Sequence, residues 1–488
     1  MVNVGTSIKP IYILAEFCAL LPGQPIKSKL MGNESDAMIK FACRAPAENA
    51  QSITTSAREL LHLDNNPQLV SLANPSVCVC VHACVLTNGL QKAFEINVDK
   101  SLITVRGREL PPPSVGYMKG TTLQPITPDN GQWLMKGVKI CQPGRRIATW
   151  TYLTIGGGSS AVKSSVVGFA KFLNGNMGIP MGAQPSPPGG HESPDRNEEA
   201  LRNAFKKIAS QKPRPDLVLI TLPDKDATRY NTVKRLGDVE FGLTTVCVRQ
   251  AMLVQEKGQL GYFANVGLKV NLKFGGVNHK VKDETKLVAD TMFVGYDVTH
   301  PTNLPSGAGD NAPSIVGLVA SVDSNLAQWP AVAWEHKSRV EEVSDKDGTF
   351  IQHFKDRLRL WQSHNSGKLP PNIVIFRDGV SEGQFKMVLD KELPNIRTAC
   401  LETYPAGPNA QPRVALIVSV KRHQTRFYPT DPNHIHPRSK SPKEGTVVDR
   451  GVTNVRYWDF FLQAHASLQG ESIFRFLPSI PQTLPSRT

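Results

Sequence analysis

Two aspartates follow apolar runs in the second half of the chain, where their placement suits phosphodiester chemistry. Asp297 closes the run MFVGYD, and Asp378 closes the run NIVIFRD. Carboxylates at the C-terminal ends of two neighbouring buried strands would lie side by side at one edge of a sheet. Cleavage by two Mg²⁺ ions, about 4 Å apart, requires such a cluster. Aspartates also end strands as turn formers, and Asp378-Gly379 is an ordinary turn signal. The spacing alone favours that structural interpretation.

Five apolar runs rich in β-branched residues surround these aspartates and predict a sheet. The runs are TMFVGYDV, SIVGLVASVD, PAVAWEH, NIVIFRDG and RVALIVSVK. An amphipathic helix is predicted over 347–363, between the third run and the fourth. This order of elements is that of an RNase H-like sheet, but many other α/β domains share it.

The preceding part of the chain predicts alternating helices and strands. Residues 34–64 carry two helical patterns, which Arg44 to Pro46 separate. Farther along, TWTYLTI and PDLVLITLP predict strands, whereas SSAVKSSVVGFAKFLNGN and NEEALRNAFKKIASQ predict helices. The run LKVNLKF (268–274) has strand character, so Lys269 and Lys273 would project from one face.

A strong positive charge suggests a polyanionic partner. The 488 residues carry a formal net charge of +14 with a pI near 9.4. Such a surplus favours nucleic acid, but it also suits a generically basic soluble protein. The sequence shows neither a signal-peptide pattern nor an apolar stretch long enough to span a bilayer. We therefore expect a cytoplasmic protein, with the nucleus as the alternative location, and no membrane partner.

The eight cysteines show no paired spacing of a zinc site or a disulfide framework. Cys78, Cys80, His82 and Cys84 lie close together in VCVCVHACV. Their alternation predicts a β-like apolar run, because spacings of one and three residues fit no common zinc motif.

Sequence blocks along nearly the whole chain resemble eukaryotic Argonautes of a fungal-like type. VGYDVTHP (294–301), FRDGVSEGQF (376–385) and KRHQTRFYP (421–429) resemble the signature of the PIWI domain. LPDKDATRYNTVKRLGD (222–238) and LKVNLKFGGVN (268–278) resemble the MID domain. PPPSVGY (111–117) and AEFCALLPGQP (15–25) resemble the linker and the end of the PAZ domain. The blocks occur in the order that the family has.

This resemblance implies an α/β multidomain chain. Residues 1–30 would be the C-terminal remnant of a PAZ domain, and 31–118 the second linker domain. Residues 119–275 would form a Rossmann-like MID domain. An RNase H-like PIWI domain, incomplete at its C-terminus, would occupy 276–488. The segment 71–92 interrupts the linker block, and we expect it to be an aberrant insert.

The resemblance also assigns catalytic roles. Asp297 and Asp378 match the family's catalytic aspartates, which would hold Mg²⁺ or Mn²⁺. Glu341 in SRVEEV matches a mobile third carboxylate, and Glu342 is the alternative. Either glutamate could equally be a solvated loop charge. The family's fourth metal ligand is usually a histidine near the C-terminus, and we find no counterpart here.

Guide-strand roles follow from the same resemblance. Tyr230 matches the tyrosine that stacks on the first guide base, and Lys234, Lys269 and Lys273 match lysines that neutralise the 5′ phosphate. At positions where the family has glutamines, this chain has Val246, which cannot donate a hydrogen bond, and Arg249, which can. Residues that match contacts to the guide backbone are Lys421, Arg422 and Arg426. His465 and Gln469 match a block near the cleft, and we assign them no chemistry.

Three hypotheses follow. The first is a guide-directed, metal-dependent endoribonuclease that binds a small guide RNA with a 5′ phosphate and cuts a complementary target RNA. The second is a non-cleaving guide-binding protein that acts with other proteins of a silencing complex. The third is a non-functional fragment of an Argonaute gene.

Overall fold

The structure is a computed structural model. It describes residues 2–3, 9, 11–14, 16, 32–42, 44–60, 99–281, 290–301, 312–343, 345, 347–407, 410–421, 423–454, 458–465 and 473–478. The predicted insert at 71–92, the cysteine cluster at 78–84, Arg422 and Gln469 lie outside the described residues, as does most of 1–30.

Short elements precede the two large sheets. Strands β1 (Val2–Asn3) and β2 (Tyr12–Ile13) pair with each other and are followed by helices α1 (Gly32–Ala42), α2 (Pro46–Gln51) and α3 (Ala57–Leu60). The predicted break between two helices at 44–46 is confirmed, because α1 ends at residue 42 and α2 begins at Pro46. Proline suits this first helical position, where its missing N–H has no intrahelical partner to lose.

Strands β3 (Arg108–Glu109), β4 (Val115–Lys119) and β5 (Thr122–Ile126) come next. A four-stranded parallel sheet then forms in the order β7-β6-β8-β9. Its strands are β6 (Trp150–Ile155), β7 (His191–Ser193), β8 (Leu217–Leu222) and β9 (Thr245–Arg249). Every residue of β6 and β8 is buried, as expected for parallel strands that are covered on both faces.

Five helices cover this sheet and complete what we call the parallel-sheet unit (150–273). They are α4 (Ser160–Phe172), α5 (Glu198–Ala209), α6 (Ala227–Lys234), α7 (Gln250–Val254) and α8 (Gln259–Lys273). Side-chain caps fix three of the helix starts, since Ser159, Asn197 and Asp226 each accept hydrogen bonds from first-turn amides. Helices α4, α7 and α8 pack on one face of the sheet, and α5 and α6 pack on the other.

The strand predicted for LKVNLKF is wrong, because these residues form the last part of α8 and the Phe274 that ends it. Phe263, Val266 and Val270 are buried at helical spacing and pack against the parallel sheet. Lys269 and Lys273 still share a face, since residues four apart are neighbours on a helix as well as on a strand.

Beyond β10 (Lys280–Val281), which pairs with β4, the described residues contain a nine-stranded sheet in the order β13-β12-β11-β14-β15-β18-β17-β16-β3. Its further strands are β11 (Thr291–Thr299), β12 (Ser314–Ala320), β13 (Ala331–His336), β14 (Asn372–Asp378), β15 (Arg413–Val420), β16 (Thr446–Val448), β17 (Phe460–Gln463) and β18 (Ile473–Pro478). Strand β11 runs antiparallel to β12 and parallel to β14, which is parallel to β15. We call this the RNase H-like sheet.

Three helices pack against the RNase H-like sheet. They are α9 (Thr349–His364), α10 (Phe385–Met387) and α11 (Leu393–Thr403). The predicted order of three strands, a helix and a further strand is therefore confirmed, and so is the α/β multidomain architecture. The Asp345 carboxylate accepts hydrogen bonds from the amides of Phe350 and Ile351, which satisfies donors in the first turn of α9. Phe350, Phe354 and other side chains of α9 pack on one face of the sheet.

Within the described part of the chain, no helix combines the length and the apolar character that crossing a membrane demands.

Candidate active site and nucleic-acid pocket

Asp297 and Asp378 lie on adjacent parallel strands, β11 and β14. Tyr296 is the register partner of Arg377. Asp297 and Asp378 are the next residues on their strands and therefore lie side by side. Asp378 ends β14, whereas β11 continues for two residues beyond Asp297. Side chains alternate along both strands, so Tyr296 and Arg377 are buried in the core while both aspartates point to the opposite, more exposed face.

A third carboxylate, that of Glu341 in the segment after β13, lies against the turn that follows β14. Gly379 has a φ of +90°, and a Cβ built there would stand 2.8 Å from Asp297 Oδ1 and 3.2 Å from Glu341 Oε1. Glycine alone fits this position without strain, because it tolerates the positive φ and leaves room for both carboxylates. Asp297 and Glu341 therefore face a common point beside the turn.

Two side chains hold Glu341 in this orientation. His300 Nε2 lies 2.8 Å from Glu341 Oε2, and the other ring nitrogen of His300 lies 2.9 Å from Ser314 Oγ. Arg377 Nη1 donates to Glu341 Oε1 at 2.9 Å. The neighbouring Glu342 turns elsewhere and accepts from Lys391 at 2.5 Å.

Sequence reasoning missed His300 and Arg377. A signal for Arg377 was present, because alternation in NIVIFRD places it on the same face as Ile373 and Ile375. An arginine on the core face of a buried strand requires acidic partners. The partners themselves are distant in sequence, so the pattern could not name them.

Asp378 lies beside Lys421, one of the residues predicted to contact the guide backbone. Its Oδ1 accepts from the Gly379 amide at 2.9 Å, and its Oδ2 forms an ion pair with Lys421. Arg426 donates to the carbonyl oxygens of His423 and Thr425, at 2.7 and 3.0 Å, so its guanidinium lies against its own loop. His465 offers a carbonyl oxygen to the side chain of Gln463.

The three acidic residues are of the type that a hard divalent cation prefers, since carboxylate oxygens are the usual protein ligands of Mg²⁺. Asp297 and Glu341 converge beside Gly379, but Asp378 is paired with Lys421. In the part of the chain that the structure describes, no group of three or more histidine, cysteine, aspartate or glutamate side chains is close enough to hold a metal ion.

A second site lies at the start of β9, where two lysines meet at Thr245. Lys234 Nζ donates to Thr245 Oγ1 at 2.7 Å and lies 2.7 Å from Asp238 Oδ2. Lys273 Nζ donates to the Thr245 carbonyl oxygen at 3.0 Å. The Thr245 hydroxyl donates to Asp238 at 2.9 Å, so one acidic side chain lies among the cations.

The charges of all three predicted lysines act on the thiol of Cys247. Burial raises the pKa of the Cys247 thiol to about 11, and the charges of Lys234, Lys273 and Lys269 oppose that rise. Partial burial of its amine, and then the nearby charge of Lys234, lower the pKa of Lys273. The site thus concentrates positive charge where an anion would relieve the repulsion.

The remaining residues predicted for this site are placed differently. Tyr230 lies one helical turn before Lys234 on α6 and is 45% exposed. Arg249 lies on the same face of β9 as Thr245 and Cys247, and its amide donates to the Tyr262 hydroxyl at 3.2 Å. Val246 points to the opposite face and is buried under α8. A side chain at 246 therefore packs in the core rather than among the lysines.

Comparison with known proteins identifies relatives of this arrangement. Residues 217–473 match the Piwi domain family. Protein argonaute 1B of Oryza sativa subsp. japonica is 30% identical over 495 residues, which cover 96% of this chain and 41% of that protein. The MID-PIWI domains of N. crassa QDE-2 are 47% identical with a TM-score of 0.51, over 58% of this chain and 76% of that chain.

Kluyveromyces polysporus Argonaute, solved with a guide RNA, has a TM-score of 0.70 at 23% identity, over 97% of this chain and 56% of that chain. This similarity concerns the fold. RNase H-like domains of the Piwi family generally use divalent metal ions. The present chain spans less than half the length of the curated relatives it matches. Because the Piwi match covers more than half of the 488 residues, the chain belongs to the Argonaute family.

Proposed function

We propose that this chain binds the 5′ end of a small guide RNA and cleaves a complementary target RNA with the help of divalent metal ions. The observation that carries the proposal is the register of β11 and β14, which sets Asp297 and Asp378 side by side with Glu341 facing Asp297. In the same proposal, residues 119–275 form the MID domain and 276–488 the PIWI domain, with 31–118 as the linker and 1–30 as part of a PAZ domain.

The guide end would bind at the lysine site. A 5′ phosphate carries close to two negative charges at neutral pH, so it offsets the mutual repulsion of Lys234, Lys269 and Lys273. Tyr230 is exposed one turn away, where its ring can stack on the first base without selecting its identity. The relative that was solved with a guide RNA supports the choice of ligand.

Target cleavage would take place beside Gly379. Divalent ions held by Asp297, Asp378 and Glu341 would supply an activated water and charge stabilisation at the leaving oxygen. Arg377 and His300 keep Glu341 turned towards Asp297. Lys421, which pairs with Asp378, provides a positive charge for the backbone of a bound strand.

A non-cleaving guide-binding protein is the second candidate. The observation that favours it is the ion pair between Lys421 and Asp378, which occupies one of the carboxylates that a metal site requires. In this case, the lysine site would bind a guide, whereas the carboxylates would only support the fold.

A cleavage assay separates the two candidates. The full chain is loaded with a 5′-phosphorylated guide and given a labelled complementary RNA in Mg²⁺, in Mn²⁺ or in EDTA. We expect a cut at one position that requires metal and that falls on the order of 10³-fold in Asp297→Ala, because a metal ligand contributes several kcal/mol to the transition state.

Asp356→Ala is the matched control, since Asp356 is a carboxylate on the surface of α9, away from the site. It should cleave like the wild type, and both variants should bind guide equally. Tight guide binding without any metal-dependent cut in the wild type would establish the non-cleaving candidate.

A further inference from the structure

A fully buried ion pair lies directly beneath Glu341. Arg377 and Glu392 are both 0% exposed, with Arg377 Nε donating to Glu392 Oε2 at 3.0 Å and Nη2 to Oε1 at 3.2 Å. The other side of the same guanidinium faces Glu341. There Nη1 donates to the carboxylate at 2.9 Å and Nη2 donates to the backbone carbonyl at 2.8 Å.

Glu392 has two further partners besides Arg377. The Tyr296 hydroxyl donates to Oε2 at 2.7 Å, and the Val343 amide donates to Oε1 at 2.9 Å. Burial, and then the charge of Glu392, raise the pKa of Tyr296, so its hydroxyl keeps the proton that it donates. Although burial opposes the charge of Arg377, its bonds to Glu392 raise the pKa of the guanidinium above the usual value.

Stability alone is a weak reason for such a pair. Removing two charges from water costs about as much as their attraction returns, so apolar residues of similar size often serve a core equally well. Glu392 is distinguished by the positions of its partners, each of which lies within two residues of one of the three carboxylates. Tyr296 precedes Asp297, Arg377 precedes Asp378, and Val343 lies two residues after Glu341.

We propose that Glu392, together with Tyr296, is a positioning residue that keeps Glu341 facing Asp297. Glu392 fixes the guanidinium of Arg377, which holds residue 341 by its side chain and its carbonyl. Glu392 also accepts a hydrogen bond from the amide of Val343. The segment that carries Glu341 is therefore held both at residue 341 and at residue 343. This inference rests on the proposed cleavage function for the importance of Glu341, whereas its structural part can be tested without cleavage.

Two variants and one control test the proposal in the full chain. Glu392→Gln removes the buried negative charge, and Tyr296→Phe removes one hydroxyl while the ring stays over Arg377, 5.1 Å from it. Tyr404→Phe is the matched control. It also removes one hydroxyl bond within the same core, to Pro370 O at 2.6 Å, but at the opposite end of β14.

The first measurement is hydrogen exchange, followed by mass spectrometry on peptides that cover 338–343. We expect exchange in this segment to become about tenfold faster in Glu392→Gln, because a charge-assisted hydrogen bond that closes the segment is weakened. Tyr296→Phe should accelerate it to a smaller extent and remains informative if Glu392→Gln does not fold. Tyr404→Phe should leave this segment unchanged.

The second measurement is the Mg²⁺ concentration that gives half-maximal target cleavage. We expect it to rise several-fold in Tyr296→Phe but not in Tyr404→Phe, with target binding unchanged in both. A purely structural role would lower thermal stability without moving this concentration.

The outcomes are distinguishable. Equal exchange of 338–343 in all proteins, or equal acceleration in the Tyr404→Phe control, would overturn the positioning role. Absence of cleavage in the wild type would instead overturn the proposed cleavage function. In that case, faster exchange in the two variants would still establish that Glu392 fastens this segment.

Discussion

Two lysines meet at the start of β9, where their positive charges repel each other in the free protein. Lys234 and Lys273 both donate to Thr245, and the charge of the first helps to lower the pKa of the second. A lysine whose pKa is lower in the folded chain than in the unfolded chain binds its proton more weakly when folded. Its charge therefore reduces stability at neutral pH, and the reduction disappears as pH rises through the lowered pKa towards the ordinary value.

We predict that Lys273→Gln stabilises the free chain at pH 7 while it weakens guide binding. The repulsion and the partial burial of a charge are removed, but one charge-assisted bond to the 5′ phosphate is lost as well. We expect affinity for a 5′-phosphorylated guide to fall roughly tenfold to a hundredfold. Thermal unfolding and a binding titration measure the two effects.

Lys257→Gln is the control, because Lys257 is an exposed lysine just before the opposite end of α8. It should change neither quantity. The gain in stability of Lys273→Gln over the wild type should shrink as pH rises towards 10. A gain that persists at high pH, or equal binding of phosphorylated and unphosphorylated guides, would contradict the role given to this lysine.

Individual site residues could be predicted to different extents from the sequence. Asp297 and Asp378 could be paired because each closes an apolar run, and their neighbourhood then depends only on strand order. Glu392 could not be connected with Arg377, because no local pattern shows that the π-helical segment Val388–Glu392, just before α11, packs beneath β14. Buried polar partners are fixed by tertiary packing, not by local pattern.

At the level of elements, α8 shows that a wrong prediction of secondary structure can still place two side chains correctly on one face. LKVNLKF alternates apolar and polar residues over a short window, which is the pattern of a strand. The helical period becomes visible only when the window is extended back to Phe263 and Val266. Lys269 and Lys273 share a face in both cases, so their proximity did not depend on identifying the element.

The turn after β14 lies against two of the three carboxylates. Gly379 needs its positive φ to reverse the chain, and it needs its missing Cβ to admit Asp297 and Glu341. Gly367, in the turn before β14, has a similar φ of +78° but nothing within 4 Å of a Cβ built there. A comparison of substitutions at the two glycines therefore distinguishes the effect of backbone strain from the effect of crowding the carboxylates.

We predict that Gly379→Ala abolishes target cleavage and that Gly367→Ala does not. Both variants should lose about 1 kcal/mol of stability, because alanine is strained at a positive φ. Only the first places a methyl group against two carboxylates. Cleavage rates and urea denaturation of both variants provide the measurement, and equal loss of cleavage in the two would show that strain alone is responsible.

On the scale of the whole molecule, the side chain of Gln328 connects the RNase H-like sheet to the end of the parallel-sheet unit. Gln328, in the turn between β12 and β13, donates to the carbonyl oxygens of Leu272 and Gly276 at 3.2 and 3.1 Å. The Asp323 carboxylate orders this turn by accepting from the Gln328 amide at 2.8 Å. Leu272 precedes Lys273, so the same contact holds the end of α8, which carries two of the three lysines of the proposed guide pocket.

We predict that Gln328→Ala separates the unfolding of the two units. The bonds from Gln328 make part of each unit's stability depend on the other, and their loss should lower the melting temperature of the less stable unit by about 2–4 °C. Differential scanning calorimetry measures the spacing of the transitions. The control is Gln362→Ala, which removes a side-chain bond to the carbonyl of Gly367 within the unit of the RNase H-like sheet. It should lower stability without separating the transitions. If both variants give the same calorimetric trace, Gln328 stabilises only its own turn, and the guide pocket is held independently of the sheet that carries the carboxylates.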